Sequence, residues 1–127
     1  MEVLIDTSVW IDYFRSGEES EKLDYLIDEN LVVTNELILT ELLPLLVIRR
    51  EKRVIKLLEK IRKSRLKLNW DEIVSYQVSC LQSGSSGIGI PDLIIAQNAI
   101  QNNLLVYSID KHFKFMYEAN FGMRRYT

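Results

Sequence analysis

Residues 1–14 read MEVLIDTSVWIDYF, and this stretch indicates the fold class of the chain. The apolar run in Glu2–Ile5 suits a short buried strand, since it contains β-branched residues and is too brief for a helix. It leads directly into Asp6, and Thr7–Phe14 then has a helical pattern. A buried strand that ends on a carboxylate and passes into a helix is typical of a parallel α/β unit.

The same alternation of strand and helix continues along the chain. Further strands are predicted at Leu31–Val33 and Leu104–Tyr107, with weaker candidates at Leu66–Asn69 and Met123–Tyr126. Helical patterns cover Thr7–Phe14, Glu21–Asp28, Asn35–Val47, Arg50–Lys63, Asp71–Gln82, Pro91–Gln101 and Asp110–Glu118. We therefore predict a three-layer α/β/α sandwich with a central, mostly parallel sheet of about five strands. Ligands of such sheets bind beyond the carboxyl ends of the strands.

Length and composition are those of a soluble globular protein. The chain has 127 residues, of which 47 % are apolar and 27 % charged, so we expect a single domain, residues 1–127. The longest apolar run, Leu42–Ile48, is far too short to span a membrane, and the N-terminus lacks the basic start of a signal peptide. Cys80 is the only cysteine, which excludes an internal disulfide and a zinc knuckle. We expect a cytoplasmic protein with no membrane anchor.

Charge is unevenly distributed along the chain. Residues 49–67 contain ten Lys and Arg against two acids, or +8, whereas the remainder contains six basic and 16 acidic residues, or −10. Such segregation favours a polyanion on one surface, although a solvated helix face is the plain alternative. The candidate phosphate contacts are Arg49, Arg50, Lys52, Arg53, Lys56 and Lys60.

Four acids occupy positions that could form one site. Asp6 and Asp110 follow predicted strands, Asp92 begins a predicted helix, and Glu41 lies within the apolar helix 35–47. Each aspartate could simply cap a helix, but a carboxylate on a buried helix face, as we expect for Glu41, needs a partner or a cation. If the first strand and the 104–107 strand are neighbours, Asp6 and Asp110 meet at one edge. An all-oxygen site favours Mg²⁺ or Mn²⁺ and suits attack of water on a phosphodiester.

Four motifs resemble those of the PIN domain family of metal-dependent ribonucleases and, more narrowly, of VapC toxins from toxin–antitoxin pairs. They are DTSVW at 6–10, TELL at 40–43, PDLIIA at 91–96 and SIDKHF at 108–113. The motifs stand in the family's order and spacing, so the resemblance covers the chain from residue 1 to about residue 126. It implies the α/β/α sandwich already predicted from the pattern.

The resemblance also implies roles for individual residues. Asp6, Glu41, Asp92 and Asp110 match the acidic quartet that coordinates one or two Mg²⁺ or Mn²⁺ ions, and Asp6 and Asp92 are the expected direct ligands. Asp110 matches a more variable position. Ser8 and Ser108 match small hydroxyl positions that hold the acids or the attacking water, and Ser108 stands where threonine is more usual. The implied activity is metal-dependent endonucleolytic hydrolysis of RNA, which leaves 5′-phosphate and 3′-hydroxyl ends.

Partners follow from the same resemblance. It implies an RNA substrate such as tRNA or rRNA, a small antitoxin that blocks the site, and a homodimer. We expect exposed apolar residues of Leu37–Ile48 to form the dimer or antitoxin surface. Trp10, Tyr13 and Phe14 could stack on RNA bases, with packing in the core as the alternative.

Other functions remain open from the sequence. One is a PIN-domain ribonuclease of RNA maturation or decay that has no antitoxin. Another is a non-catalytic module that keeps the fold for RNA binding. A receiver-like signalling domain has a similar length and sheet, but it would have adjacent acids after the first strand, where Asp6 stands alone.

Overall fold

A five-stranded, all-parallel sheet forms the centre of the protein in a computed structural model that describes residues 1–127. The strands are β1 Val3–Ile5, β2 Val32–Thr34, β3 Arg62–Lys63, β4 Leu105–Tyr107 and β5 Arg124–Arg125. Their order across the sheet is β3-β2-β1-β4-β5. The helices are α1 Thr7–Phe14, α2 Ser20–Asp28, α3 Glu36–Ile48, α4 Lys52–Lys60, α5 Trp70–Gln82, α6 Ile90–Gln101 and α7 Lys111–Glu118. The predicted α/β/α sandwich with five strands is confirmed.

The central strand β1 pairs in parallel with β2 and with β4. Leu4 lies opposite Val33 on one side and Val106 on the other, and all three side chains are buried. Strands that are apolar at every position are suited to this arrangement, because helices cover both faces of the sheet. The first strand and the 104–107 strand are therefore neighbours, which is the condition under which we expected Asp6 and Asp110 to meet at one edge.

The third strand was wrongly placed. We expected it at Leu66–Asn69, but β3 is Arg62–Lys63, inside the segment predicted as a helix up to Lys63. This strand is exposed at the edge of the sheet, where charged side chains are common. Arg62 forms a 2.5 Å ion pair with Glu2, which anchors it beside the sheet.

The hydrophobic core contains 28 buried residues. Trp10 is fully buried, and its ring packs on Tyr13 and Phe14 with centroid distances of 6.1 and 5.9 Å. Trp10 is therefore not accessible to an RNA base, and the core alternative holds for it.

None of the helices combines the length and apolar character that a membrane span requires.

Helix α3 is apolar around most of its circumference, but most of its large side chains face the core. Ile38, Leu39, Leu42 and Leu46 are buried. Exposed large apolar side chains occur only at its end, at Val47–Ile48. The surface that we predicted along Leu37–Ile48 is thus reduced to the last turn of the helix.

Candidate active site

The acids meet at the carboxyl edge of the sheet because parallel strands all end on that side. Asp6 directly follows β1, and Ser108 directly follows β4. The Asp6 amide donates to the Tyr107 carbonyl over 2.9 Å, which joins the two strand ends. Asp92 reaches the same edge from the first turn of α6. The topology therefore brings together residues that are about a hundred positions apart.

Asp6 is the most enclosed of these acids, with only 5 % of its surface exposed. Its Oδ2 atom accepts hydrogen bonds from Ser8 Oγ at 2.7 Å and from Ser108 Oγ at 2.8 Å. The Ser8 amide lies 3.4 Å from the same oxygen, so Asp6 also caps α1. All these bonds fall on Oδ2, and Oδ1 is left without a hydrogen bond inside the chain. The capping role and the site role are therefore compatible.

The two predicted supporting serines do contact the acids. Their hydroxyl oxygens lie 3.2 Å apart, between Asp6 and the loop after β4. The Ile109 amide donates to Ser8 Oγ over 3.2 Å, and the Asp110 amide donates to Ser108 Oγ over 3.0 Å. The serine pair thus fixes the position of Asp6 relative to Asp110.

A histidine links the remaining two aspartates. Asp110 caps α7, since its Oδ1 accepts from the His112 amide at 2.9 Å. The ring nitrogen Nδ1 of His112 lies 3.2 Å from Asp92 Oδ2 and 3.7 Å from Asp110 Oδ1. From the sequence, Lys111 and His112 are the only cationic residues next to the acids, but we assigned neither of them a role in the site. The available signal was that the only histidine of the chain lies two positions after Asp110.

Glu41 is placed differently from our expectation. The residue is exposed, so the prediction of a buried helix face was wrong. It lies at the mouth of the site, where Thr7 Oγ1 donates to Glu41 Oε1 over 3.2 Å. Thr7 is a second residue that the sequence analysis missed. The error arose because α3 is apolar on nearly every side, so its pattern does not reveal which side faces the core.

The site concentrates negative charge. Desolvation raises the pKa of Asp92, and the charges of Asp6 and Asp110 raise it further, while the hydrogen bond from His112 lowers it. Partial loss of hydration also raises the pKa of Glu41; the Thr7 hydrogen bond opposes this, and the charges of Asp6 and Asp92 add to it. The four acids thus act on one another electrostatically, and a cation among them would relieve the repulsion.

The donor chemistry of the site fits a hard divalent cation. Its acids supply only oxygen ligands, and their mutual repulsion favours a positive charge between them. With the side chains as placed, no three His, Cys, Asp or Glu groups converge closely enough to hold a metal ion. Binding would therefore require the carboxylates to draw together, and His112 now occupies part of the space between Asp92 and Asp110.

The predicted phosphate-contacting residues do not join the carboxylates. Arg49 follows α3, about 12 Å along the helix from Glu41 at 1.5 Å per residue. It lines a small cavity with Phe14 and Arg15, at the end of α1 that is remote from Asp6. The other members, from Arg50 to Lys60, continue into α4. Arg49 thus lies at the end of α3 that is remote from the acids, whereas Lys63, later in the basic segment, pairs with Glu36 in the first turn of α3.

A buried amide pair supports the site from below. Asn35 is fully buried and caps α3, with its Oδ1 accepting from the Ile38 amide at 2.9 Å. Its Nδ2 donates to Asn98 Oδ1 over 2.9 Å, and Asn98 Nδ2 donates to the Arg65 carbonyl over 3.0 Å. The pair connects the helix that bears Glu41 to α6, which bears Asp92. The only sign of this pair in the sequence is a polar residue, Asn35, at the start of the predicted helix Asn35–Val47.

Comparisons with known proteins agree with this architecture. The sequence model of the PIN domain matches residues 3–118. No match was found among curated proteins.

Three solved structures resemble the whole chain. One is a chain of VapBC2 from Rickettsia felis, in a structure of VapBC2 bound to a DNA fragment from its promoter. It is 15 % identical to this chain with a TM-score of 0.76, and the match covers 99 % of this chain and 98 % of that one. A chain of DNA-bound VapBC from Salmonella typhimurium is 16 % identical with a TM-score of 0.73, covering 99 % and 97 %. A chain of FitAcB from Neisseria gonorrhoeae is 22 % identical with a TM-score of 0.68, covering 97 % and 96 %. At these identities the likeness shows the fold alone.

Proposed function

The chain belongs to the PIN domain family, and on that premise we propose that it is a metal-dependent endoribonuclease. One observation carries the proposal. Asp6 at the end of β1 is held by serines from two separate strand ends, in electrostatic contact with Asp92. A buried carboxylate with one fully bonded oxygen and one free oxygen is suited to hold a cation. We also propose that residues 1–127 form a single domain.

The side chains have distinct roles in this proposal. Asp6, Asp92 and Asp110 would hold one or two Mg²⁺ or Mn²⁺ ions, with Glu41 at the mouth of the site. When bound, a divalent cation supplies positive charge at the scissile phosphate and lowers the pKa of the attacking water. Ser8 and Ser108 fix the Asp6 carboxylate, which leaves its Oδ1 atom directed to a ligand.

His112 is a positioning residue in this arrangement. Its ring nitrogen contacts Asp92 and its amide donates to Asp110, so one residue fixes the positions of both carboxylates. Hydrolysis by water in line with the leaving group gives a 5′-phosphate and a 3′-hydroxyl.

We propose further that the protein is the toxin of a toxin–antitoxin pair. The support is the likeness of fold to VapBC and FitAcB chains, together with the DTSVW, TELL, PDLIIA and SIDKHF motifs. The proposal includes an antitoxin partner, a homodimer, a cytoplasmic location and an RNA substrate such as tRNA or rRNA. Membership of the PIN family removes the receiver-domain alternative. An antitoxin-free ribonuclease and a non-catalytic RNA-binding module of the same fold are the remaining ones.

Cleavage of RNA by matched variants tests the proposal. Total RNA is incubated with wild type, Asp6→Asn, Asp92→Asn and the control Asp28→Asn, in Mg²⁺, in Mn²⁺ and in EDTA. Asp28 is an exposed residue at the end of α2 with no contact to the site, so it makes the same chemical change elsewhere. We expect cleavage only with metal, retained in Asp28→Asn and lost in the other two. Equal cleavage by all four proteins would refute the assignment.

A further inference from the structure

A second concavity opens directly beside the carboxylates, and the proposed reaction does not use it. It has a volume of about 430 Å³ and lies where β4 and β5 end. Its walls include Glu19, Lys22, Tyr107, Ser108, Arg125 and Tyr126. Ligand pockets in proteins have volumes of about 300–1,000 Å³, so this one is large enough for a nucleotide.

Ser108 belongs to both the concavity and the carboxylate site. Its side chain lines the concavity, and its hydroxyl donates to Asp6 Oδ2 over 2.8 Å. Ile109, the next lining residue, donates its amide to Ser8 Oγ over 3.2 Å. The Ser108–Ile109 segment therefore lines the concavity on one side and contacts the carboxylate site on the other.

A pair of tyrosines supplies an aromatic wall. Tyr107 is buried and its hydroxyl donates to Glu19. The Tyr126 ring packs against it at a centroid distance of 5.1 Å, and the Tyr126 amide donates to the Val106 carbonyl over 2.9 Å. These two contacts fix the position of the Tyr126 ring. Because Tyr126 is only partly buried, part of the ring is accessible from the concavity.

The concavity also carries positive charge in an otherwise acidic part of the chain. Outside residues 49–67 there are only six basic residues, and two of them, Lys22 and Arg125, line this space. Arg125 lies over the Tyr117 ring at 5.8 Å, and Lys22 is exposed. Glu19 is the one acid in the wall, and its carboxylate accepts the hydroxyl of Tyr107.

We propose that this concavity binds a nucleotide of the RNA strand next to the scissile phosphate, with the base against Tyr126 and a phosphate between Lys22 and Arg125. The inference rests on the proposed ribonuclease function and adds a subsite to it. An aromatic platform beside cations is the usual means of holding a single strand without reading its sequence. A subsite here would position RNA at Asp6 through residues that lie outside the basic segment 49–67.

Binding without cleavage tests this subsite. A fluorescein-labelled single-stranded RNA of about ten nucleotides, containing 4-thiouridine, is titrated in EDTA at low salt and then photocrosslinked. The variants are Lys22→Glu, Tyr126→Leu and the control Lys67→Glu, which makes the same charge reversal at an exposed residue that does not line the concavity. We expect crosslinks on the peptide that contains Tyr126. Binding should weaken about tenfold in Lys22→Glu and about fivefold in Tyr126→Leu, and it should be unchanged in Lys67→Glu.

Each other outcome overturns the subsite. The subsite is refuted if the crosslinks are confined to residues 49–60. It is also refuted if Lys22→Glu and Lys67→Glu weaken RNA binding equally, or if the wild type does not bind RNA. Circular dichroism identifies a variant that fails to fold. If Tyr126→Leu fails to fold, Lys22→Glu still tests the subsite, because Lys22 is at an exposed position. The same RNA is incubated in parallel with Mn²⁺, wild type and Asp92→Asn. Wild-type cleavage there, without the expected crosslinks, would leave the proposed function standing and reject the subsite alone.

Discussion

Replacing Ser108 by alanine removes the hydroxyl that joins two parts of the site. Ser108 Oγ donates to Asp6 Oδ2 over 2.8 Å and accepts from the Asp110 amide over 3.0 Å. A hydrogen bond to a charged group contributes about 1.5–3 kcal/mol, and the orphaned amide adds about 1 kcal/mol. Ser8 Oγ remains 2.7 Å from the same carboxylate oxygen and offsets part of the loss. We expect Ser108→Ala to lower the free energy of unfolding by about 2 kcal/mol.

Urea unfolding in EDTA, with thermal unfolding beside it, measures this loss. With an unfolding entropy of about 2.1 cal/mol/K per residue, a 127-residue chain should lose about 7 °C in Tm. Because the acids would also be held less firmly, Mn²⁺ affinity measured by calorimetry should fall at least about tenfold. Ser86→Ala, in an exposed loop, is the matched control and should change neither quantity. A loss below about 0.5 kcal/mol in Ser108→Ala would refute the reasoning, because the hydroxyl would then not join Asp6 to Asp110.

Three further predictions concern single residues and pH. Asp110→Ala removes the cap of α7 and should cost about 1 kcal/mol in urea unfolding, and an unchanged midpoint would contradict the capping geometry. Asn35→Ala removes the cap of α3 and leaves a buried Asn98 oxygen unpaired, so the loss should reach about 2–4 kcal/mol. Gln82→Ala, at an exposed position, is the control and should cause only a small change. Folding raises the pKa of Asp92 above its ordinary value of 3.8. As pH rises from about 4, the carboxyl therefore loses its proton in the unfolded chain before it does so in the folded protein. The free energy of unfolding of the metal-free wild type should fall over this range, until the pH exceeds the raised pKa. Asp92→Asn should flatten this dependence in EDTA, and an identical pH profile in both proteins would contradict the raised pKa.

The central strands and their neighbours were predictable because their physical signals are local. Val3–Ile5 and Leu105–Tyr107 are short apolar runs followed by polar residues, and runs of this length with β-branched residues favour a buried parallel strand. The edge strand was not predictable in the same way. Arg62–Lys63 is charged and exposed, and only its pairing with Val33–Thr34 makes it a strand. The apolar residues before this strand recur at helical spacing, and for this reason the predicted helix Arg50–Lys63 extends over the strand.

The positions of the three aspartates of the site were predictable from the sequence, but the residues that contact them were less so. Asp6, Asp92 and Asp110 follow strands or begin helices, and the sheet topology alone brings such positions to one edge. The contacts of His112 and Thr7 depend on the angles between α7, α6, α1 and α3, which no periodicity encodes. The buried pair Asn35 and Asn98 was missed for the same reason, because a polar residue in a helical pattern does not reveal a partner 63 positions away.

The chemistry of the cut RNA ends tests the central claim most directly. Wild-type protein is incubated with RNA and Mn²⁺, the fragments are sequenced by methods that distinguish end groups, and Asp92→Asn serves as the inactive reference. Our account predicts 5′-phosphate and 3′-hydroxyl ends that appear only with metal and only with the wild type. Fragments ending in a 2′,3′-cyclic phosphate would contradict it, since they result from attack by the ribose hydroxyl rather than by water.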